Sequence, residues 1–239
     1  MPLTAGVLII GSLLWDSTKR RPVWRETRLD VASTQTVTAP IRYGRLSESR
    51  GNSYTMVFSR LAPTGRGKLV PCSHTISTVQ DLVAEAECLW KAEQPGAEAH
   101  RIGSDWGCVA LLCNPYRDIP EDLLKGWSGR VASEPGYGNV SQTKEEGVLV
   151  NEQGLLRIEW PRLVGRDAAA DLDLILVTAN DPEITPSSPS YPTAEVIAEA
   201  WNRAGKHVEY FWRNSDNGIS TFQDAEIRAL LRPCGQEQA

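Results

Sequence analysis

The chain has 239 residues, a formal net charge of −5 and an ordinary balance of apolar and charged side chains. That length suffices for one large domain with a sizeable core, and the acidic balance argues against a nucleic-acid binder, which would carry a basic face. No apolar run approaches the roughly 18 residues of a membrane span, and no basic region precedes a long apolar stretch at the N-terminus, so neither a membrane anchor nor a secretory signal is expected. The five cysteines, Cys72, Cys88, Cys108, Cys113 and Cys234, show no Cys-x-x-Cys spacing, which reads as reduced thiols in a cytoplasmic protein.

Residues 5–10 are predicted as a strand, because an apolar run stops at Gly11-Ser12. The local basic cluster Arg20, Arg21, Arg25 and Arg28 is diluted by Asp16, Glu26 and Asp30 and reads as a solvated face. Residues 29–46 read as extended, interrupted at Pro40, and 47–53 as a polar loop with Arg50-Gly51. Strands are predicted over 54–61 and 68–76, with a connection through residues 62–67. A helix follows over 78–93, stopped by Pro95-Gly96, and then a strand over 106–113.

The stretch 117–144 is loop-rich, with one helix near 121–127. Segments 147–151 and 155–160 read as a hairpin around Glu152-Gln153-Gly154, and 172–178 as a core strand. Residues 180–192 hold four prolines and read as a loop. Two helices follow, one over 193–204 stopped by Gly205, the other from Ser220, which has capping-box spacing to Gln223. The tail from Gln236 is expected to fray. Strands outnumber helices and fall in neighbouring runs, a pattern of α+β rather than doubly wound folds. Residues 1–180 are expected to form one domain. Residues 181–239 would add a proline-rich loop and C-terminal helices packed on it.

Two features suggest chemistry. The first is the turn after the opening strand, whose amides from Gly11 onward could converge on a bound group. The second is Glu93. With Val79 at zero and about 100° per residue, Leu82, Val83, Ala86, Leu89 and Trp90 share one face, and Glu93 falls about 40° from Val79 on that same face. Glu85, Glu87 and Lys91 lie outside it. A carboxylate on the core side of a helix is costly without a partner. It either escapes at the last turn, pairs with an arginine, or stands partly buried as a general base.

Together these features resemble the γ-glutamylcyclotransferase superfamily. Gly11-Ser12-Leu13 after an apolar strand is similar to its Tyr-Gly-Ser-Leu or Tyr-Gly-Ser-Asn signature. Leu13-Leu14-Trp15 is similar to the continuation found in its glutathione-acting ChaC-type branch. Ser47-Glu48-Ser49-Arg50-Gly51 resembles that branch's Ser and Arg-Gly segment. Leu89-Trp90-Lys91-Ala92-Glu93 stands where the family has Leu-Asp-x-x-Glu. The likeness covers roughly residues 5–113. The chain departs from the pattern at Ile10, where an aromatic is usual, at Trp90, where Asp is usual, and at Gln94, where Gly is usual.

The resemblance implies a small, mostly antiparallel, barrel-like mixed sheet with a few helices, to which the C-terminal helices read above would add an extension. It also implies a transferase or lyase activity, cyclising a γ-glutamyl amide or peptide to 5-oxoproline with release of an amine or amino acid. Glu93 would be the catalytic acid/base. Ile10, Gly11, Ser12, Leu13, Leu14 and Arg50 would bind the substrate. No metal or cofactor is implied.

Two other readings stay open. One is a non-catalytic protein on the same fold that binds a small molecule or a partner. The other is a cysteine hydrolase using Cys72, with His74 two residues on along the same strand face. His74, His100 and His207 lack metal-ligand spacing. No Gly-x-Ser-x-Gly elbow supports Ser12 as a nucleophile. Tyr137 reads as part of a turn that could close over a pocket. Tyr210, Phe211 and Trp212 read as core or interface.

Overall fold

The opening apolar run becomes β1 (Ala5–Ile9), buried at every position. A strand buried on both faces needs a covering layer on each side, and the rest of the chain supplies them. After it come α1 (Arg21–Arg28), β2 (Gln35–Ser47), β3 (Ser53–Phe58), β4 (Thr64–Pro71), α2 (Val79–Glu93), β5 (Gly103–Ser104), β6 (Gly107–Cys113) and α3 (Glu121–Ala132). The chain continues with β7 (Gln142–Thr143), β8 (Gly147–Val148), β9 (Leu174–Asn180), α4 (Ala194–Ala204), α5 (Glu209–Asp216) and α6 (Asp224–Leu230). The computed structural model describes residues 1–18, 20–94, 96–137, 142–143, 147–166, 168–182 and 191–231. Pro95, most of the proline-rich loop, Cys234 and the C-terminal tail lie outside them.

The fold is α+β. Seven strands form one sheet in the order β3-β2-β4-β1-β9-β6-β5. It is mixed, since β1 runs parallel to β9 and every other named pair in it is antiparallel. The sheet is open, with β3 and β5 at its edges, so the barrel-like closure implied by the resemblance is corrected to an open sheet between two helical layers. Alternation assigns the faces. Val7 and Ile9 join Leu82, Ala86, Leu89, Trp90 and Trp127 of α2 and α3. Leu8 joins Trp201 of α4, Phe211 of α5 and Ile227 of α6. The C-terminal helices thus share a core with the sheet.

Several sequence expectations shift for physical reasons. Strand β2 runs through Pro40 because it changes partner there. Residues Gln35–Pro40 pair with β4 and Ile41–Ser47 with β3, so a missing N–H at the changeover disturbs neither ladder. Strand β4 starts at Thr64, inside the expected connection. Its Gly65 admits the crossing segment after α5, since a Cβ there would meet the Ser220 carbonyl at 2.4 Å. The expected hairpin around 152–154 is a short one, a Val150–Leu156 bridge flanked by Asn151 N–H to the Leu155 carbonyl (3.1 Å) and Arg157 N–H to the Leu149 carbonyl (2.8 Å), with Leu156 donating outward to the Leu111 carbonyl of β6 at 2.8 Å. The cap expected from Ser220 and Gln223 is absent; the turn before α6 is held instead by Asp224 Oδ1, which accepts from the Thr221 amide (2.9 Å) and hydroxyl (2.5 Å).

The cluster at Arg20–Arg28 is not a solvated face. It forms α1, with Pro22 in its first turn. Arg21 turns inward and is 9% exposed, and Arg28 grips Glu85 with two nitrogens, at 2.5 and 3.2 Å. Glu85, expected outside the apolar face of α2, is therefore buried as an ion pair. Helix α5 was not anticipated either, although Tyr210 and Phe211 are core residues as expected. Among the described residues no helix is long and apolar enough to cross a membrane.

Candidate functional site

Strands β1 and β9, being parallel, present their carboxyl ends on the same side. In open parallel sheets a crevice outside such ends is the usual ligand position, and the one parallel pair of this mixed sheet creates such ends. Here a pocket of about 430 Å³ opens there. Its wall combines the end of β1 and the turn after it (Ile10, Gly11, Ser12, Leu13), the last residue of α2 (Glu93) and the far end of β2 with its 3-10 turn (Arg45 to Arg50). Arg21, Trp106, Thr178, Asn180 and Tyr210 complete it.

The turn is built by its own backbone. The Leu14 amide donates to the Gly11 carbonyl (3.3 Å), and the Trp15 and Asp16 amides donate to the Ser12 carbonyl (3.2 and 2.8 Å). Gly11 is demanded by space rather than by a left-handed backbone. A Cβ there would lie 2.8 Å from the Tyr210 hydroxyl, and Gly11 is not among the positive-φ glycines. Trp15 ties the turn to α5 by donating its indole N–H to Asn214 Oδ1 at 2.7 Å. Arg25 of α1 clamps it from outside, donating to the carbonyls of Leu13 (2.7 Å) and Asp16 (3.0 Å).

Ser12 is nearly buried, and its Oγ accepts from Arg21 Nη1 and Arg50 Nη2, each at 3.0 Å. With both acceptor positions taken, its hydroxyl hydrogen is left to donate. Arg50 also lies over the Tyr210 ring at 4.6 Å; burial pushes that phenol up from its ordinary pKa. Arg21 is held by Asp16 Oδ2 (2.6 Å) and the Ala92 carbonyl (3.1 Å). Burial alone would raise the Asp16 carboxyl. The Thr18 hydrogen bonds and the Arg21 and Arg50 charges outweigh it and hold Asp16 below the usual carboxylate range. The remaining nitrogen of Arg21, Nη2, stands 3.8 Å from Glu93 Oε2. That is an ion-pair distance but too long for a hydrogen bond. The Glu93 side chain is 19% exposed. Among the lining residues three guanidiniums, Arg21, Arg45 and Arg50, face two carboxylates, Glu48 and Glu93. Asp16 neutralises Arg21 from just outside the lining, so Arg45 and Arg50, with no carboxylate at ion-pair distance among the described residues, are the two guanidiniums that suit anionic groups.

Glu93, Ile10, Gly11, Ser12, Leu13 and Arg50, named from the sequence, are thus brought to one pocket. Leu14 is not among its lining residues. Its side chain packs between the two core clusters, and its amide is spent within the turn. Arg21, Arg45, Trp106, Thr178, Asn180 and Tyr210 were missed. Arg21, Arg25 and Arg28 do follow a helical i, i+4, i+7 spacing, a signal that could have marked one inward face.

Cys72 lies elsewhere, just past β4, and burial pushes its thiol up to about 12, the opposite of what a thiolate nucleophile needs. The nearest acid to His74 is Glu85, at 3.9 Å. Tyr137 does not line the pocket and donates to the Val109 carbonyl at 2.7 Å. Among the described residues no group of His, Cys, Asp and Glu could hold a metal ion. No family model, curated protein or solved structure matches the chain.

Proposed function

We propose that this chain cyclises a γ-glutamyl amide or peptide, glutathione among the candidates, to 5-oxoproline with release of the amine. The observation that carries the reading is the meeting of Glu93 and the Gly11–Leu13 turn in one guanidinium-rich pocket. A γ-glutamyl group carries an α-carboxylate, an α-ammonium and a γ-carbonyl. Arg50 suits the carboxylate, Glu93 the ammonium, and the turn the carbonyl. The Glu93 carboxylate takes a proton from the α-ammonium. The freed nitrogen attacks the γ-carbonyl carbon, and the new C–N bond closes a five-membered ring. The oxyanion is met by donors of the turn. Collapse breaks the original amide C–N bond as protonated Glu93 gives its proton to the departing nitrogen, and the carboxylate so regenerated takes the extra proton from the ring nitrogen and passes it to the amine, which leaves as its ammonium. Ring closure is intramolecular, so the site supplies conformation and proton transfer, and the reaction as written uses no cofactor.

A second reading is favoured by Arg21 Nη2 at 3.8 Å from Glu93. A cation beside the carboxylate competes with the substrate ammonium, as suits a protein that binds the same ligand without turning it over. The experiment is a panel of γ-glutamyl peptides and γ-glutamyl amines, with 5-oxoproline, free glutamate and amine all quantified. The cyclase reading expects 5-oxoproline and amine in equal amounts. Binding without product would establish the second reading, and free glutamate as the main product would overturn both.

A further inference from the structure

We propose that Arg45 is a second anion receptor in this pocket, and that it selects γ-glutamyl compounds whose departing amine itself carries an anionic group. The inference rests on the cyclase reading for the identity of the first half of the ligand.

Arg45 is placed with care. Strand β2 bulges against β3 between Tyr43 and Arg45, at Gly44, and a bulge re-aims the side chain that follows it. A Cβ on Gly44 would lie 2.7 Å from Val57 Cγ2 and 2.9 Å from the Tyr191 ring, so the bulge needs glycine for room. The Arg45 guanidinium then lies over the Trp106 ring at 4.5 Å. Trp106 is itself fixed, stacked on buried Trp90 at 4.9 Å and 29°, with its indole N–H donating to Gln94 Oε1 at 3.1 Å. Trp90 and Gln94 are two of the three departures noted in the sequence. The structure gives them one joint task, which is to hold the ring on which Arg45 rests. They are positioning residues, and Arg45 is the group that would touch the ligand.

Two observations point to a ligand at this end. Arg45 lines the pocket and forms no ion pair among the described residues, whereas Arg21 is already engaged by Asp16. Thr178 and Asn180 of β9 form the adjoining wall; Asn180 Oδ1 faces Gly107 of β6, 2.9 Å from where a Cβ would stand, while Thr178 Oγ1 is buried with no hydrogen-bond partner. Buried polar atoms are rarely left so. An unpaired cation beside a threonine hydroxyl complements an anionic group such as the carboxylate of an acylated amino acid. Arg50, beside the Ser12 hydroxyl, takes the other anion, so the ligand has a negative group at each end.

The test is calorimetric titration of the Glu93→Gln chain, in which turnover is blocked, with two probe pairs. One pair is γ-glutamylglycine and its C-terminal amide; the other is glutarate and its mono-amide. The free acid of each pair should bind about ten to a hundred times more tightly than its amide, the worth of one charge-assisted contact. That ratio should fall to about one in Arg45→Gln, survive in part in Arg45→Lys, and shrink in Gln94→Leu, with melting temperatures recording that each variant is folded. Higher salt should narrow it. A ratio near one for both pairs, a ratio unchanged in Arg45→Gln, or no binding of any probe would overturn the proposal. If glutarate shows the Arg45-dependent preference while neither γ-glutamyl probe binds, the anion receptor stands and the cyclase reading falls.

Discussion

Helix α2 carries two acids that leave solvent in different company. Glu85, midway along, is 3% exposed and closed off by a two-pronged contact with Arg28. Glu93, at the last turn, keeps 19% of its side-chain surface and has only one arginine nitrogen, at 3.8 Å. Glu85 has its charge neutralised at hydrogen-bond distance and nothing left to offer. Glu93 stands at the mouth of a cavity, with its oxygens unclaimed by any close donor among the described residues. Burial alone therefore does not mark a working carboxylate on this helix. What distinguishes Glu93 is incomplete pairing beside a pocket whose other walls can hold a ligand.

This contrast can be broken most forcefully at Glu85. Arg28→Met leaves a carboxylate buried without its partner and should cost about 3 kcal/mol, the lower end for buried pairs because the Arg28 side chain is 28% exposed. Urea unfolding would read it, and a loss under about 1 kcal/mol would mean that the pair behaves as a surface pair. A smaller effect is expected at the turn. Gly11→Ala sets a methyl 2.8 Å from the Tyr210 hydroxyl, and overpacking of this kind costs about 1–3 kcal/mol. Trp15 and Tyr210, whose rings meet edge-on at 6.0 Å, should report the shift in near-ultraviolet dichroism. An unchanged spectrum and melting point would show that the turn has slack.

The smallest effect should appear as pH dependence. Asp16 has a folded-state pKa below its unfolded value. Its stabilisation is therefore fully present above about pH 4 and is lost as pH falls through the lower folded value. Melting temperatures of the wild type and Asp16→Asn should differ at neutral pH and converge in acid. Curves parallel down to acid pH would remove Asp16 as the anchor of Arg21.

Much of the site was legible because its parts are local. An apolar run that stops at glycine, and an acid in register with an apolar helix face, are both patterns within about one helix length. The position of β1 followed from its apolar run, and the extent of α2 from its helical periodicity. What escaped depends on distant pairing. Nothing near Leu174 announces that it will lie parallel to Ala5, so Thr178 and Asn180 could not be placed at the pocket. Tyr210 reads as generic core until α5 brings its hydroxyl against Gly11. Arg21 was misjudged because local dilution by acids resembles a solvated surface, yet Asp16 is the residue that draws it inward. Trp90 and Gln94 looked like departures from a pattern until Trp106 stood between them.

The central claim is that the two acids of α2 have separate tasks, and one paired comparison tests it directly. Glu93→Gln and Arg28→Met would be assayed side by side for 5-oxoproline release from γ-glutamyl substrates and for melting temperature. Glu93→Gln should lower turnover by about 10²–10⁴-fold, with the melting temperature retained or slightly raised. Arg28→Met should melt earlier and, below its transition, turn over like the wild type. A Glu93→Gln chain as active as the wild type would contradict the account.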